Sequence, residues 1–180
     1  LIESGFSPKA YSVAKAAGPW QFISATGRRY GLRIDWWADE RRDAEKSTHA
    51  AASYLRDLYG MFESWPLAAA AYNAGEGKIQ KAVVRYRSDD FSELIRHRYL
   101  KQETKDYVPK MLAALTIAKD PGKYGFGDVA YEAPLDLRPV SVPGGTDLAA
   151  VARLLEVPVE EIRDWNPELR RFCTPPNREQ

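Results

Sequence analysis

Reactive sulfur and imidazole are nearly missing from this 180-residue chain, which holds one cysteine and two histidines. A single cysteine, Cys173, excludes an intrachain disulfide and a cysteine-rich zinc site, and leaves the redox compartment open. His49 and His97 stand far apart in segments of helical pattern, so neither a metal centre nor a Ser-His-Asp triad is expected. No glycine-rich loop runs into Lys-Ser or Lys-Thr, so no phosphate cradle is expected, and no cofactor is implied. Charge of one sign is also lacking: 26 Lys and Arg against 25 Asp and Glu leave +1. That balance argues against a strongly basic nucleic-acid binder and against an acidic tail. No apolar run reaches about 18 residues, so no transmembrane segment is expected in this chain. An initiator Met and a signal-like start are absent, so the chain reads as a fragment with any targeting segment upstream. Nothing in the composition speaks to oligomeric state.

What remains after these exclusions is carboxylates, aromatic rings and amides, with 25 acidic residues, 10 Tyr, 6 Phe and 5 Trp. Carboxyl groups protonate glycosidic oxygens and flat aromatic faces cover sugar rings, so this is a toolkit for sugar chemistry. The length suits one ordinary domain plus a small module.

The first two thirds read as helical. In Ser47 to Phe62, Ala51, Leu55, Leu58 and Phe62 recur at spacings of four, three and four, one apolar stripe on a helix. Trp65 to Asn73 is alanine-rich with Pro66 suited to a first turn, and Gly75 and Gly77 break it. KIQKAVVRY gives another short helix. Glu103 to Lys119 places Tyr107, Met111, Ala114, Leu115 and Ala118 on one face. Pro109 predicts that this helix starts only a few residues before it. Asp120 to Leu137 has no stripe and reads as a surface connection; beyond it, Arg138 to Val142 suits a short strand. Leu148, Val151, Ala152 and Leu155 then suit a helix. A second should run from about Val159 to Trp165, with Ile162 inward and Asn166-Pro167 ending it.

Three clusters combine polar groups, rings and helix breakers: Glu3-Ser4 with GPWQF (18–22), AYNAGEG (71–77) and ETKDYVP (103–109). Taken singly, each has an ordinary reading. A lone Glu near a terminus is usually solvated surface. Tyr72-Asn73 before a glycine suits a helix end with a buried tyrosine. Tyr107 on an apolar stripe, and Trp20 and Phe22, suit a core.

Together and in this order, ESGFSPKAYSVAKAAGPWQFISATGRRYGL, AAAYNAGEGKIQKAV and ETKDYVPKMLAA resemble the lysozyme-like lytic transglycosylases, and within them the membrane-bound murein D type. The resemblance runs from Leu1 to about Lys119. It implies a mainly α fold: a lysozyme-like helical catalytic domain over 1–119, its N-terminal helix lying upstream, and a connection over 120–137. It implies that Glu3 is the catalytic acid. Ser4, Gln21, Phe22, Tyr72, Asn73 and Tyr107 match the family's substrate-binding positions, Gly18 belongs to the same element as Gln21, and Glu103 has an orienting task. Pro19 stands where Leu is common in the superfamily. The implied partner is the glycan strand of peptidoglycan, and the implied location is the bacterial cell envelope, periplasmic or outer-membrane associated.

Such an enzyme works with one carboxylate. The acid must be protonated when substrate binds, for which burial against apolar groups is the usual route. Ile2, Phe6, Trp20 and Phe22 are the local candidates for that wall. Two alternatives stand beside this reading. A hydrolytic muramidase would need a second carboxylate, for which Asp35, Asp39 and Glu40 are available. A non-catalytic peptidoglycan-binding fragment would need no acid at all.

The tail, VSVPGGTDLAAVARLLEVPVEEIRDWNPEL, resembles a LysM peptidoglycan-binding module, a small α/β unit over 138–180 that lacks the usual closing turn and strand. Thr146, Asp147 and Leu148 fall in the segment such modules use on GlcNAc. A plain α/β cap that packs on the main domain without sugar affinity fits the same residues.

Overall fold

The computed structural model describes residues 2–131, 133 and 136–176. Among them the chain is mainly α, with eight α-helices, one 3-10 turn at Gly122–Tyr124, and β-structure confined to isolated bridges. It divides into two compact units, one built on residues 51–130, the other on residues 3–50 with the chain from Tyr131 onward.

The first unit is a helical core. Helix α2 is Ala44–Phe62, and its residues from Ala51 bury Ala51, Tyr54 and Leu58, while Leu55 and Phe62 are half-buried. Helix α3, Trp65–Ala74, opens on Ser64, whose hydroxyl accepts from the Leu67 N–H, with Pro66 in the first turn. Five consecutive residues, Leu67 to Ala71, are buried. Gly75, at φ 89°, ends α3 in a backbone region that L side chains rarely adopt. Helix α4, Glu76–Tyr86, buries Ile79 and Ala82, and the short α5, Phe91–Leu94, buries both its ends behind an Asp90 cap.

Helix α6 differs from expectation in two ways. It spans Gln102–Lys119, so it starts seven residues ahead of Pro109 instead of just before it. Proline inside a helix forfeits a backbone hydrogen bond, a cost of about 3 kcal/mol. Thr104 and Val108 are buried just before Pro109 and Met111 is half-buried just after, and this packing carries the helix through. The buried face is therefore Thr104 and Val108, while Leu115 of the expected stripe is 49% exposed. Helix α3 packs against both α4 and α6.

The second unit has less regular structure. Residues 3–23 form turns and the isolated bridges Tyr11↔Ala17 and Ala17↔Phe22, then helix α1, Ser24–Arg29. The tail contributes helices α7, Leu148–Leu155, and α8, Val159–Trp165. Leu148, Ala152 and Ile162 form their shared core, with Val151, Val157, Val159, Trp165 and Leu169 around it; Leu155 of the expected stripe is exposed. The expected strand at Arg138–Val142 has no ladder partner among the described residues. Pro139 lies within it and Pro143 just beyond it, and neither has an N–H to give a ladder. The tail closes instead at Asp147↔Cys173, with the Leu148 N–H donating to the Phe172 carbonyl and the Thr174 N–H to the Thr146 carbonyl.

Candidate active site

Glu3 is half-buried in the turn that opens the chain. Its neighbour Ser4 donates its hydroxyl to the Pro19 carbonyl at 2.8 Å, which fastens this turn to GPWQF. That element is tightly specified. Gly18 sits at φ 79°, and a Cβ there would lie 1.7 Å from the Arg41 carbonyl oxygen, so no other residue fits. Gln21, itself at φ 49°, donates both its N–H and its side-chain amide to the Gly18 carbonyl, at 3.2 and 2.8 Å. Phe22 is 3% exposed, so its ring belongs to the core that supports the element. Trp20 is half-buried, with its indole N–H on the Thr48 hydroxyl at 2.8 Å. Phe6, expected in the apolar wall, is 59% exposed.

The group that holds GPWQF from behind was not singled out from sequence. Arg41 is buried; its Nη1 donates to the Phe22 carbonyl at 2.8 Å and the Lys15 carbonyl at 2.9 Å. Its Nε and Nη2 grip Asp39 at 2.8 and 2.7 Å, a two-pronged pair. Burial pushes the Asp39 carboxyl up, but the hydrogen bonds and charge of Arg41 outweigh it and hold the group below the usual range. Aspartate and arginine two apart before a helix is too common a pattern to have flagged this clasp.

The clasp bears on the supply of second carboxylates. Asp39 is committed to Arg41. Glu40 accepts the Arg33 N–H and the Lys46 ammonium, both at 2.7 Å. Burial pushes its carboxyl up, and these partners bring it below the ordinary value. Asp35 accepts the N–H groups of Trp37 and Ala38 at 2.7 and 2.8 Å, closing a turn. All three serve as structural acceptors.

Tyr72, Asn73 and Tyr107 belong to the 51–130 unit, all half-buried, on the packed pair α3 and α6. Asn73 lies next to the last residue of α3, positioned by the Gly75 stop. Tyr72 rests on Tyr54, ring centroids 5.2 Å apart, and the Tyr54 hydroxyl donates to Glu76 at 2.8 Å. Tyr54 was passed over in the sequence because it blends into the α2 stripe, and Glu76, though within AYNAGEG, was given no role of its own. Glu103 is exposed in the first turn of α6. Among the described residues no cluster of His, Cys, Asp and Glu could hold a metal ion, and no helix is long and apolar enough to cross a membrane.

Comparison with known proteins gives this arrangement a context. Residues 1–95 match the transglycosylase SLT domain model. The chain belongs to the SLT transglycosylase family. The mainly α architecture is that of the lysozyme-like helical SLT domain. Residues 136–180 match a second model, the LysM-like domain of lytic transglycosylase MltD. The chain is 40% identical over 171 residues to the membrane-bound lytic murein transglycosylase D of Escherichia coli K12, a match covering 92% of this chain and 37% of that protein. It is 34% identical over 122 residues to a putative tributyltin chloride resistance protein of Alteromonas sp., covering 67% of this chain and 58% of the relative. It is 35% identical over 122 residues to the peptidoglycan transglycosylase gp16 of Escherichia phage T7, covering 66% and 9%. This SLT chain thus spans well under half the length of the first of these relatives.

In the LysM-like part, the three residues singled out from sequence are all in structural use. Thr146 bonds the Pro143 carbonyl and the Thr174 hydroxyl, Asp147 caps α7 through the Ala149 N–H at 2.9 Å, and Leu148 is buried.

Proposed function

We propose that this chain is the catalytic portion of a peptidoglycan lytic transglycosylase, with residues 1–119 as the catalytic region and 138–180 as its LysM-like appendage. It cleaves the MurNAc-GlcNAc β-1,4 bond without water. The observation that carries the reading is the Glu3-Ser4 turn bonded to the GPWQF element in a chain of the SLT family. In this scheme the Glu3 carboxyl gives its proton to the glycosidic oxygen, and the leaving sugar departs with the bonding pair. The C6 hydroxyl of the same MurNAc forms the new bond to C1, closing a 1,6-anhydro ring, and the Glu3 carboxylate takes its proton. The nucleophile is tethered, so its effective concentration is high and no water has to be positioned. One group serves as acid and then base. Gln21, Tyr72, Asn73 and Tyr107 are the side chains assigned to contacts with the glycan, and the buried Phe22 ring supports the GPWQF element. The substrate puts the work of this protein in the bacterial cell envelope.

A hydrolysing muramidase is the second reading. It is disfavoured because Asp35, Asp39 and Glu40 are each committed as acceptors of structural hydrogen bonds. Digestion of purified sacculi, with mass analysis of the products, tests both. Wild type should release anhydro ends, one water lighter than hydrolysed ends, and Glu3→Gln should lose activity by a factor of about 100 to 10,000, the range that acid–base catalysis supplies. Equal activity in the two proteins would remove Glu3 from the mechanism. Hydrolysed ends alone would favour the muramidase, and no cleavage by wild type would favour a binding role.

A further inference from the structure

The LysM-like tail is fastened to residues 35–39, the stretch that leads into the Asp39–Arg41 clasp. The Asp39 N–H donates to the Glu168 carbonyl and the Arg170 N–H to the Trp37 carbonyl, both at 2.8 Å, on either side of the bridge Ala38↔Leu169. Arg170 Nη1 donates to the Asp35 carbonyl at 2.8 Å. The Arg171 guanidinium lies 3.5 Å from the centre of the Trp36 ring. Lys9, on the chain between Glu3 and GPWQF, pairs with Asp164 of α8 at 2.6 Å.

From there the contacts continue to the candidate acid. Asp39 grips Arg41, and Arg41 holds the Phe22 and Lys15 carbonyls. Gly18 packs on the Arg41 backbone, and the Pro19 carbonyl takes the Ser4 hydroxyl beside Glu3. Each link is a directed bond or a close contact of defined geometry, the kind that transmits a displacement. The tail residues that would face a GlcNAc unit are meanwhile engaged within the tail.

We propose that the LysM-like segment braces the catalytic turn, with Arg170, Asp39 and Arg41 as positioning residues, and is not an independent glycan reader. The kinetic part of this inference rests on the proposed transglycosylase activity; the structural part does not. Reacting groups displaced by about 1 Å can lose much of their rate while substrate still binds.

The test uses the full chain with Arg170→Ala combined with Lys9→Ala. On isolated glycan strands, kcat should fall about tenfold with KM within about twofold, the signature of lost transition-state alignment. Amide hydrogen exchange should rise about tenfold at Ala17 and Gly18, whose N–H groups bond the Phe22 and Ala10 carbonyls, and stay unchanged at Ala70 in α3. Arg170→Lys with Lys9 intact, which keeps a cationic donor, should recover most of both. Unchanged exchange at Ala17 and Gly18, an equal rise at Ala70, or a rise in KM with kcat intact would each overturn the brace. If wild type yields no anhydro ends, the proposed function fails, and the exchange pattern still decides the brace.

Discussion

Among the described residues, the largest fully buried side chains of 51–130 are Leu58, Leu67, Ile79, Leu94 and Val108; in the other unit they are Thr174 and Ser47. The helical unit is held by apolar area removed from water, worth about 1.5–3 kcal/mol per large side chain and indifferent to direction. The unit that carries Glu3 has smaller apolar clusters, around Phe22 and around Leu148, Ala152 and Ile162, and adds bonds that need a particular partner at a particular angle: Arg41 on Asp39, Gln21 on Gly18, Trp20 on Thr48. Apolar packing tolerates adjustment, whereas directed bonding fixes a geometry and leaves a buried group stranded when its partner goes. Under the proposed mechanism a single carboxylate gives and takes one proton, a task that gains from the second kind of support.

The contrast breaks most directly at the clasp. Asp39→Asn leaves the Arg41 guanidinium buried without its counter-charge, and should lower stability by about 3–5 kcal/mol in urea unfolding. A loss under about 1 kcal/mol would mean that directed bonds do not carry this unit. The pH dependence follows from the same group. Its folded pKa lies below the ordinary 3.8, so the clasp stabilises the fold above that value and is lost as pH falls through the lower folded value. In Asp39→Asn that part of the acid limb should be missing from an unfolding titration.

In the helical unit the matching probe is Leu58→Ala. It removes a fully buried side chain and should cost about 2–5 kcal/mol by the same measurement, depending on how far the site collapses. Hydrogen exchange at Ala17 and Gly18 should remain closer to wild type in this variant than in Asp39→Asn. Equal effects at those amides would erase the distinction between the units.

The smallest effect sharpens the comparison. Burial, helped by the nearby Asp43 and Glu40, pushes the Glu168 carboxyl up from 4.5 against its own backbone N–H and Lys46. Its folded pKa exceeds its unfolded one, so its contribution to stability is present below 4.5 and lost as pH rises through the folded value. Glu168→Gln should therefore raise Tm slightly at pH 7 and leave it unchanged well below pH 4.5. A lower Tm at pH 7 would show that the charge helps to hold the tail.

How much was legible in the sequence follows the same division. Helices α2 and α6 and α7 in the tail were visible because apolar residues recur every three or four, α3 and α4 from alanine and the flanking breakers, whereas the four-residue α5 was not read. Val159 to Trp165 was read with its observed ends, since Pro158 and Pro167 flank it. Misreadings came where tertiary contact outweighed a local rule, as when packing carried α6 across Pro109. Prolines withheld ladder donors from the expected strand at 138–142. The candidate site residues were found through their order along the chain, but what holds them was not. Nothing local marks Arg41 as the partner of the Phe22 and Lys15 carbonyls, or Arg170 as the partner of Asp35, because these contacts join distant stretches of chain.

The run of buried alanines in α3 carries a different kind of information. From Ala68 to Ala71 every side chain is a single methyl, and every one is enclosed, whichever way around the axis it points. Methyl groups at these positions set how near α4 and α6 can come, as spacers of fixed thickness. Saturation mutagenesis should find that harm grows with side-chain size, valine already costing about 1–3 kcal/mol and lysine more because it also buries a charge. Tyr72 and Asn73 follow at once on the same rod, so the placement of two candidate glycan contacts is written in how little the four residues before them occupy.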